Sequence, residues 1–268
     1  MKWIIALSEG SKTWPAIDSY EIMALVAVSS AKARAPSLDP HLIYNGSRNP
    51  FTCEMERLGV KVYFHSLSID QAVQGAKGRS EHWKHIARGT MLRLDIPSIL
   101  ESSDETCLYT DVDVMFLDDP GNYLLETKLV AFSTEFEYDN FDLINAGVML
   151  INLSEAKKEF PGLLKWTADN LEWIPDYDQG ALRVYFNRRW DRLDQRLNWK
   201  PYWGIGSSPI IVHFHGPKPL DFEVTTLLLK NKYPVYMRLH GQSADGYQTY
   251  LARWFAYSHY FFAGRNEC

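Results

Sequence analysis

From Lys2 to Phe116 the chain alternates short apolar runs with stretches whose apolar residues recur at helical spacing. That alternation points to a layered α/β fold with a mainly parallel sheet. Lys2–Leu7 reads as a buried first strand. Ile17–Ala33 then sets Ile22, Leu25, Val26 and Ser29 at helical intervals. His41–Tyr44 and Val60–His65 read as further strands, and Phe51–Leu58, His82–Leu94 and Pro97–Leu100 as helices. The polar, glycine-containing stretch Gln71–Arg79 reads as a mobile loop. Thr106–Phe116 is the strongest strand. After Phe116 the order becomes mixed, with strands near Leu129–Phe132, Ala146–Asn152 and Ile210–Phe214. Helices are expected over Ser154–Leu171, with Ser154 as N-cap, and over Gln179–Phe186. No repeat, low-complexity segment or linker interrupts the chain, so a single domain over residues 1–268 is expected.

Bulk composition narrows the function classes. Hydrophobic residues make up 46% of the chain and aromatics 14%, enough for a sizeable core. A formal charge of -5, with both signs spread along the sequence, argues against a nucleic-acid partner. There is no polybasic run and no stretch of membrane-spanning length. The opening MKWIIALS is too short for a signal peptide. Cys53, Cys107 and Cys268 form neither a metal spacing nor a disulfide framework. A cytoplasmic location is the expectation.

Chemistry concentrates first in CLYTDVDVMFLDDP. On a continuous strand Asp111 and Asp113 would share one face, about 7 Å apart. Two carboxylates so placed call for positive charge, and a hard divalent cation with open positions for phosphate oxygens supplies it. A phosphatase-like hydrolase with Asp111 as nucleophile is the competing reading. Asp118 and Asp119, before Pro120, read as turn residues. In DLINAGVMLINLSE, Asn145 precedes Ala146 and Gly147, where lack of bulk permits close approach. In DYDQGALRVYF, Asp178 and Gln179 open a helix, and Asp178 is either its N-cap or a functional carboxylate. In SPIIVHFHGPKP, His213 and His215 are both candidates for a third metal ligand, with Gly216 and Lys218 placed to meet phosphate.

Taken in order, these segments resemble glycosyltransferase family eight, the family of glycogenin and the bacterial lipopolysaccharide galactosyltransferases. The family pattern is a DxD after an apolar strand, then FNAGVxLINL, DQD…FxxxWxxLDxxxNW and HFxGxxKP. The corresponding segments are Asp111-Val112-Asp113, INAGVMLINL, DQG…FNRRWDRLDQRLNW and HFHGPKP. The resemblance runs from the first strand to about Leu220. It implies a single Rossmann-like GT-A domain with a mixed central sheet and a helical, aromatic C-terminal segment. Its nucleotide-binding half would be residues 1–116, its donor-sugar and acceptor half 117–220, and the C-terminal segment 221–268.

The same resemblance implies a retaining, metal-dependent hexosyltransferase using a UDP-sugar with Mn2+ or Mg2+. Asp111, Asp113 and His213 would hold the metal, His213 being favoured over His215 by motif register. Val112, Gly216, Lys218 and Arg93, the last from TMLRLDIP, would serve the nucleotide diphosphate. Tyr20, Leu7 and Ser8 would meet the base. Asn145, Ala146, Asp178 and Gln179 would hold the donor sugar, with Gln179 near the anomeric carbon. The acceptor would be a carbohydrate, a lipid-linked sugar or a protein. A nucleotide-sugar-binding protein without transfer activity is a further alternative. Three departures stand out: Gly180 for the third residue of DQD, a single residue between Gly216 and Lys218, and a longer loop between Ser8 and Tyr20. The aromatic tail YQTYLARWFAYSHYFFAGRN reads as a helix packed on the core, or as a peripheral membrane contact.

Overall fold

The computed structural model describes residues 1–9, 17–101, 106–123, 126–222 and 234–263. The chain falls into two compact units. One comprises Met1–Glu9, Asp39–Thr110 and Leu124–Leu193, the other Gly10–Leu38, Asp111–Tyr123 and Asp194–Cys268.

The first unit is built on a seven-stranded sheet. Its strands are β1 (Lys2–Ser8), β2 (Asp39–Asn45), β3 (Lys61–Phe64), β4 (Thr106–Thr110), β6 (Val130–Thr134), β7 (Ile144–Asn152) and β8 (Asp191–Arg192), in the order β3-β2-β1-β4-β7-β6-β8. β3, β2, β1 and β4 run parallel; β1, β2 and β4 are largely buried, as strands covered on both faces are, while β3 at the sheet edge is partly exposed. β7 then pairs antiparallel with both β4 and β6, so the sheet is mixed. Helices α2 (Pro50–Arg57), α3 (Asp70–Gly75), α4 (Glu81–Thr90), α5 (Ile96–Ile99), α6 (Leu153–Asn170) and α7 (Tyr177–Phe186) belong to this unit. Its core gathers Ile4, Tyr109, Phe132, Met149, Phe160 and Phe186.

In the second unit α1 (Ile17–Arg34) packs on a two-stranded antiparallel sheet, β5 (Val114–Phe116) with β9 (Ile211–His213). The run Met23–Val28 is buried on every side, as befits a helix without a polar face. Ser30 on α1 accepts from the Phe116 amide at 3.0 Å. Among the described residues two further helices follow, α8 (Pro234–Gln242) and α9 (Ala244–Ala263). Tyr247, Tyr250, Leu251 and Trp254 of α9 are buried, and α9 packs against α1, which answers to the core-packing reading of the tail. No helix among the described residues is long and apolar enough to cross a membrane. The tail's last residues, Arg265 among them, and the loop residues 10–16 lie outside the described residues.

Several sequence expectations are corrected. Thr106–Phe116 is not one strand: β4 stops at Thr110, and the chain resumes as β5 in the other sheet. Asp111-Val112-Asp113 fills the break, because two carboxylates cannot continue a buried ladder without partners. Asp70–Gly75 is helical where a loop was expected. Asn152, not Ser154, caps α6; its side chain accepts from the Glu155 amide. The expected helix over His82–Leu94 ends at Thr90 and tightens into a 3-10 turn, Met91–Asp95. Asp176, not Asp178, is the cap residue of α7.

Candidate active site

Asp111, Asp113 and His213 offer ligand atoms that all lie within 4.8 Å of one another. The β5–β9 pairing sets this up. Val114 stands opposite His213, and the Phe214 amide donates to the Asp113 carbonyl at 2.9 Å. His213 Nε2 lies 3.3 Å from Asp113 Oδ1 and 3.9 Å from Asp111 Oδ2. Its other nitrogen, Nδ1, donates to Asn198 Oδ1 at 2.9 Å. That bond orients the ring so that Nε2 faces the two carboxylates, the position from which it would donate a lone pair to a cation bound between them. Two carboxylate oxygens and an imidazole nitrogen form a donor set that suits a divalent cation. His215 is engaged elsewhere, its Nδ1 lying 3.1 Å from the Tyr202 hydroxyl.

Lys218 reaches into the same cluster. Its ammonium donates to Asp113 Oδ2 and, at 3.2 Å, to the Phe214 carbonyl. Burial alone would raise the Asp113 carboxyl; Lys218 and then His213 outweigh it and hold Asp113 well below the usual carboxylate range. Burial alone would lower the Lys218 ammonium, but Asp113 outweighs it and holds Lys218 well above its ordinary value. Short spacing after Gly216 therefore does not keep Lys218 from the acidic pair. Gly216 itself has φ 104, and a side chain there would meet Leu239 at 2.8 Å. Val112, between the two carboxylates, is buried. Tyr20 is 39% exposed, with its hydroxyl in electrostatic reach of Lys218 and Asp113.

The first unit carries a second network. β7 continues past the last residue of β4, since Thr110 pairs with Val148. Ile144 to Gly147 thus lie beyond the carboxyl end of a parallel strand, where ligands of α/β sheets gather. Opposite β6 the register breaks: Phe132 pairs with Met149, but Ser133 with Asn145. Such a bulge re-aims the side chains it carries. Gln179 Oε1 accepts from the Ala146 amide at 3.0 Å and from Asn145 Nδ2 at 3.4 Å. Asn145 Oδ1 accepts from the Gly147 amide at 3.2 Å. Arg93 Nη1 donates to the Ala146 carbonyl at 2.7 Å, and Arg93 Nε lies 3.1 Å from Asp178 Oδ2. The guanidinium also lies over the Tyr109 ring at 4.7 Å. Arg93, Asn145, Ala146, Asp178 and Gln179 are thus brought together. Leu7 and Ser8 sit at the end of β1, where Asn45 Nδ2 donates to the Ser8 hydroxyl at 3.2 Å.

Gly180 has a steric cause. A Cβ at this position would stand 1.6 Å from the Pro175 carbonyl oxygen. Asp176 and Tyr177, at φ 52 and 55, fold the chain back over the glycine. Gly180→Ala is expected to destabilise the protein by about 1–3 kcal/mol through forced backbone movement; urea unfolding of the variant measures it. Asn198 was missed by sequence reasoning. Its signal was the buried asparagine of LDQRLNW, a polar residue that burial leaves in need of a partner.

Comparison with solved structures places the fold. Galactosyltransferase LgtC, in complex with donor and acceptor sugar analogues, matches with a TM-score of 0.62 at 17% identity over 90% of this chain and 95% of its own. GlyE of Streptococcus pneumoniae TIGR4 gives 0.60 at 17% identity, over 96% of this chain and 64% of its own. The fold is that of the GT-A glycosyltransferases. Residues 16–219 match the model of glycosyl transferase family 8, and the chain belongs to that family. Among curated proteins, glycosyltransferase GlyB of Streptococcus pneumoniae serotype 4 (strain ATCC BAA-334 / TIGR4) is 26% identical over 163 residues. That match takes in 52% of this chain and 39% of GlyB, well under two thirds of the relative's length.

Proposed function

We propose that this protein is a retaining, metal-dependent hexosyltransferase that takes its sugar from a UDP-sugar. The observation that carries the reading is the cluster of Asp111, Asp113 and His213, with His213 Nε2 turned toward both carboxylates by the Asn198 bond at Nδ1. Mn2+ or Mg2+ held there would neutralise the diphosphate and stabilise it as a leaving group. Lys218 adds fixed positive charge beside the same carboxylates, and Gly216 keeps the turn before it free of a side chain. Tyr20, Leu7 and Ser8 are assigned to the base, and Val112 to the nucleotide beside the acidic pair. Asn145, Ala146, Asp178 and Gln179 are assigned to the donor sugar, with Arg93 as their charge partner.

Gln179 contributes by position rather than by covalent attack. Its Oε1 already accepts two N–H donors, which draw electron density away from the oxygen a nucleophile would use. Attack of the acceptor hydroxyl on the face from which the phosphate departs fits this arrangement, with the leaving phosphate taking the proton. Family membership takes away the support for a phosphatase using Asp111 as nucleophile.

A manganese-dependent thermal-shift screen of UDP-, GDP- and dTDP-sugars, followed by turnover of the best stabiliser, tests the reading. A ligand that binds only the folded state raises its melting temperature by mass action. Stabilisation by no nucleotide-sugar, with or without Mn2+, would sink it. Asn198→Ala, which removes no ligand atom, is expected to weaken Mn2+ binding by about 10–100-fold, as read by electron paramagnetic resonance titration.

A further inference from the structure

We propose that Arg79 and Trp83 are positioning residues for Gln179, acting through the turn that leads into α7. The inference deepens the proposed function and rests on it for its activity readout. Asp176 and Tyr177 are consecutive non-glycine residues in the left-handed region, at φ 52 and 55. Asp176 makes no side-chain cap bond to α7. Such backbone persists only where its surroundings over-determine it, and it clusters where geometry serves function.

The surroundings here are specific. Arg79 Nε donates to the Leu171 carbonyl at 2.9 Å, and its Nη2 to the Ile174 carbonyl at 2.8 Å. One guanidinium thereby closes the end of α6 onto the strand of chain before Pro175. The same guanidinium lies over Trp83 at 4.5 Å, and Trp83 stacks on Tyr177 with centroids 5.4 Å apart and planes 21° from parallel. Ser80, between them in sequence, caps α4 by accepting from the Trp83 amide, which fixes where the indole starts. On the far side Arg183 Nη2 lies 3.2 Å from Asp176 Oδ2. The left-handed pair is thus held at both of its residues. Gln179 follows Tyr177 by a fraction of a helical turn, and its Oε1 has to meet the Ala146 amide at 3.0 Å. A tilt of the first turn of α7 would carry that oxygen out of reach.

The test compares Arg79→Ala and Trp83→Leu with Trp83→Phe, which keeps a ring to stack. Readouts are manganese-dependent donor turnover, UDP affinity with Mn2+ by calorimetry, and hydrogen exchange of the amides from Leu171 to Arg183. For Arg79→Ala and Trp83→Leu we expect kcat to fall by about 10–100-fold, as misplacement near the chemistry does, with KM and UDP affinity within about twofold. Exchange should quicken in that segment only, and Trp83→Phe should recover most of the kcat. Unchanged kcat with unchanged exchange would overturn the proposal. So would equal losses in kcat and UDP affinity, the mark of a general structural role. If the wild-type chain turns over no nucleotide-sugar, the proposed function fails while exchange still decides the clamp: faster in the variants supports it, unchanged refutes it.

Discussion

Asp113→Asn is expected to remove metal-dependent donor turnover, with a loss on the order of a thousandfold or more, and Mn2+ binding with it. Two effects combine. The variant deletes a charged oxygen from the only group of three potential ligands found among the described residues. It also strips Lys218 of its carboxylate, leaving an ammonium that is 19% exposed without its main counter-charge. Removing one partner of a buried ion pair costs about 3–5 kcal/mol, so a lower melting temperature should accompany the lost activity. Asp113→Asn with Lys218→Met should recover stability but not turnover. Full activity in Asp113→Asn would sink the metal scheme.

The pair's pH dependence follows from the directions of its shifts. Asp113 is depressed in the folded state, so its contribution is complete above its unfolded pKa, about 3.9, and is lost as pH falls further. Lys218 is raised, so its contribution is complete below about 10.4 and is lost as pH rises through the folded value. The stability difference between wild type and the double variant Asp113→Asn, Lys218→Met, in which neither group titrates, should therefore stay flat from about pH 5 to about pH 9. Denaturant titrations across that range check it; a steady slope would contradict the assignment.

The second large effect is expected at Arg93. Arg93→Ala leaves Asp178, whose side chain is 6% exposed, without the cation that compensates its burial, and withdraws the donor to the Ala146 carbonyl. The cost should be about 3–5 kcal/mol, enough to threaten folding at physiological temperature. Arg93→Lys separates charge from geometry. A lysine supplies the charge for Asp178 but not the planar fork that also reaches Ala146 and sits over the Tyr109 ring. Arg93→Lys should therefore recover part of the stability and little of the turnover. Recovery of both in equal measure would reduce Arg93 to a point charge.

What sequence made legible followed from short-range rules. Buried apolar runs marked β1, β2, β4 and β7, because a strand covered on both faces has to be apolar throughout. Asp111 and Asp113 were legible as an acidic pair in need of a cation. Their geometry was not, since the sequence of a strand does not say where pairing with a neighbour stops. The choice between His213 and His215 depended on contacts made across chain distance, to Asn198 and Tyr202 respectively. Gly180 read as a lost carboxylate, whereas the Pro175 carbonyl shows a position that admits no side chain. Arg79 fell in a stretch read as a loop, and nothing local in the sequence joins it to carbonyls at Leu171 and Ile174.

The irregularity in β7 has a wider meaning. A copy of this strand that lost the residues by which Met149 and Asn145 overshoot Phe132 and Ser133 would pair with β6 without interruption. Its side chains would also swap faces wherever the shift is odd. Asn145 would then turn away from Gln179. Such a chain would gain ladder bonds to β6 and lose the contact between Asn145 and Gln179, so the irregular pairing is what gives the sheet its polar network at this end.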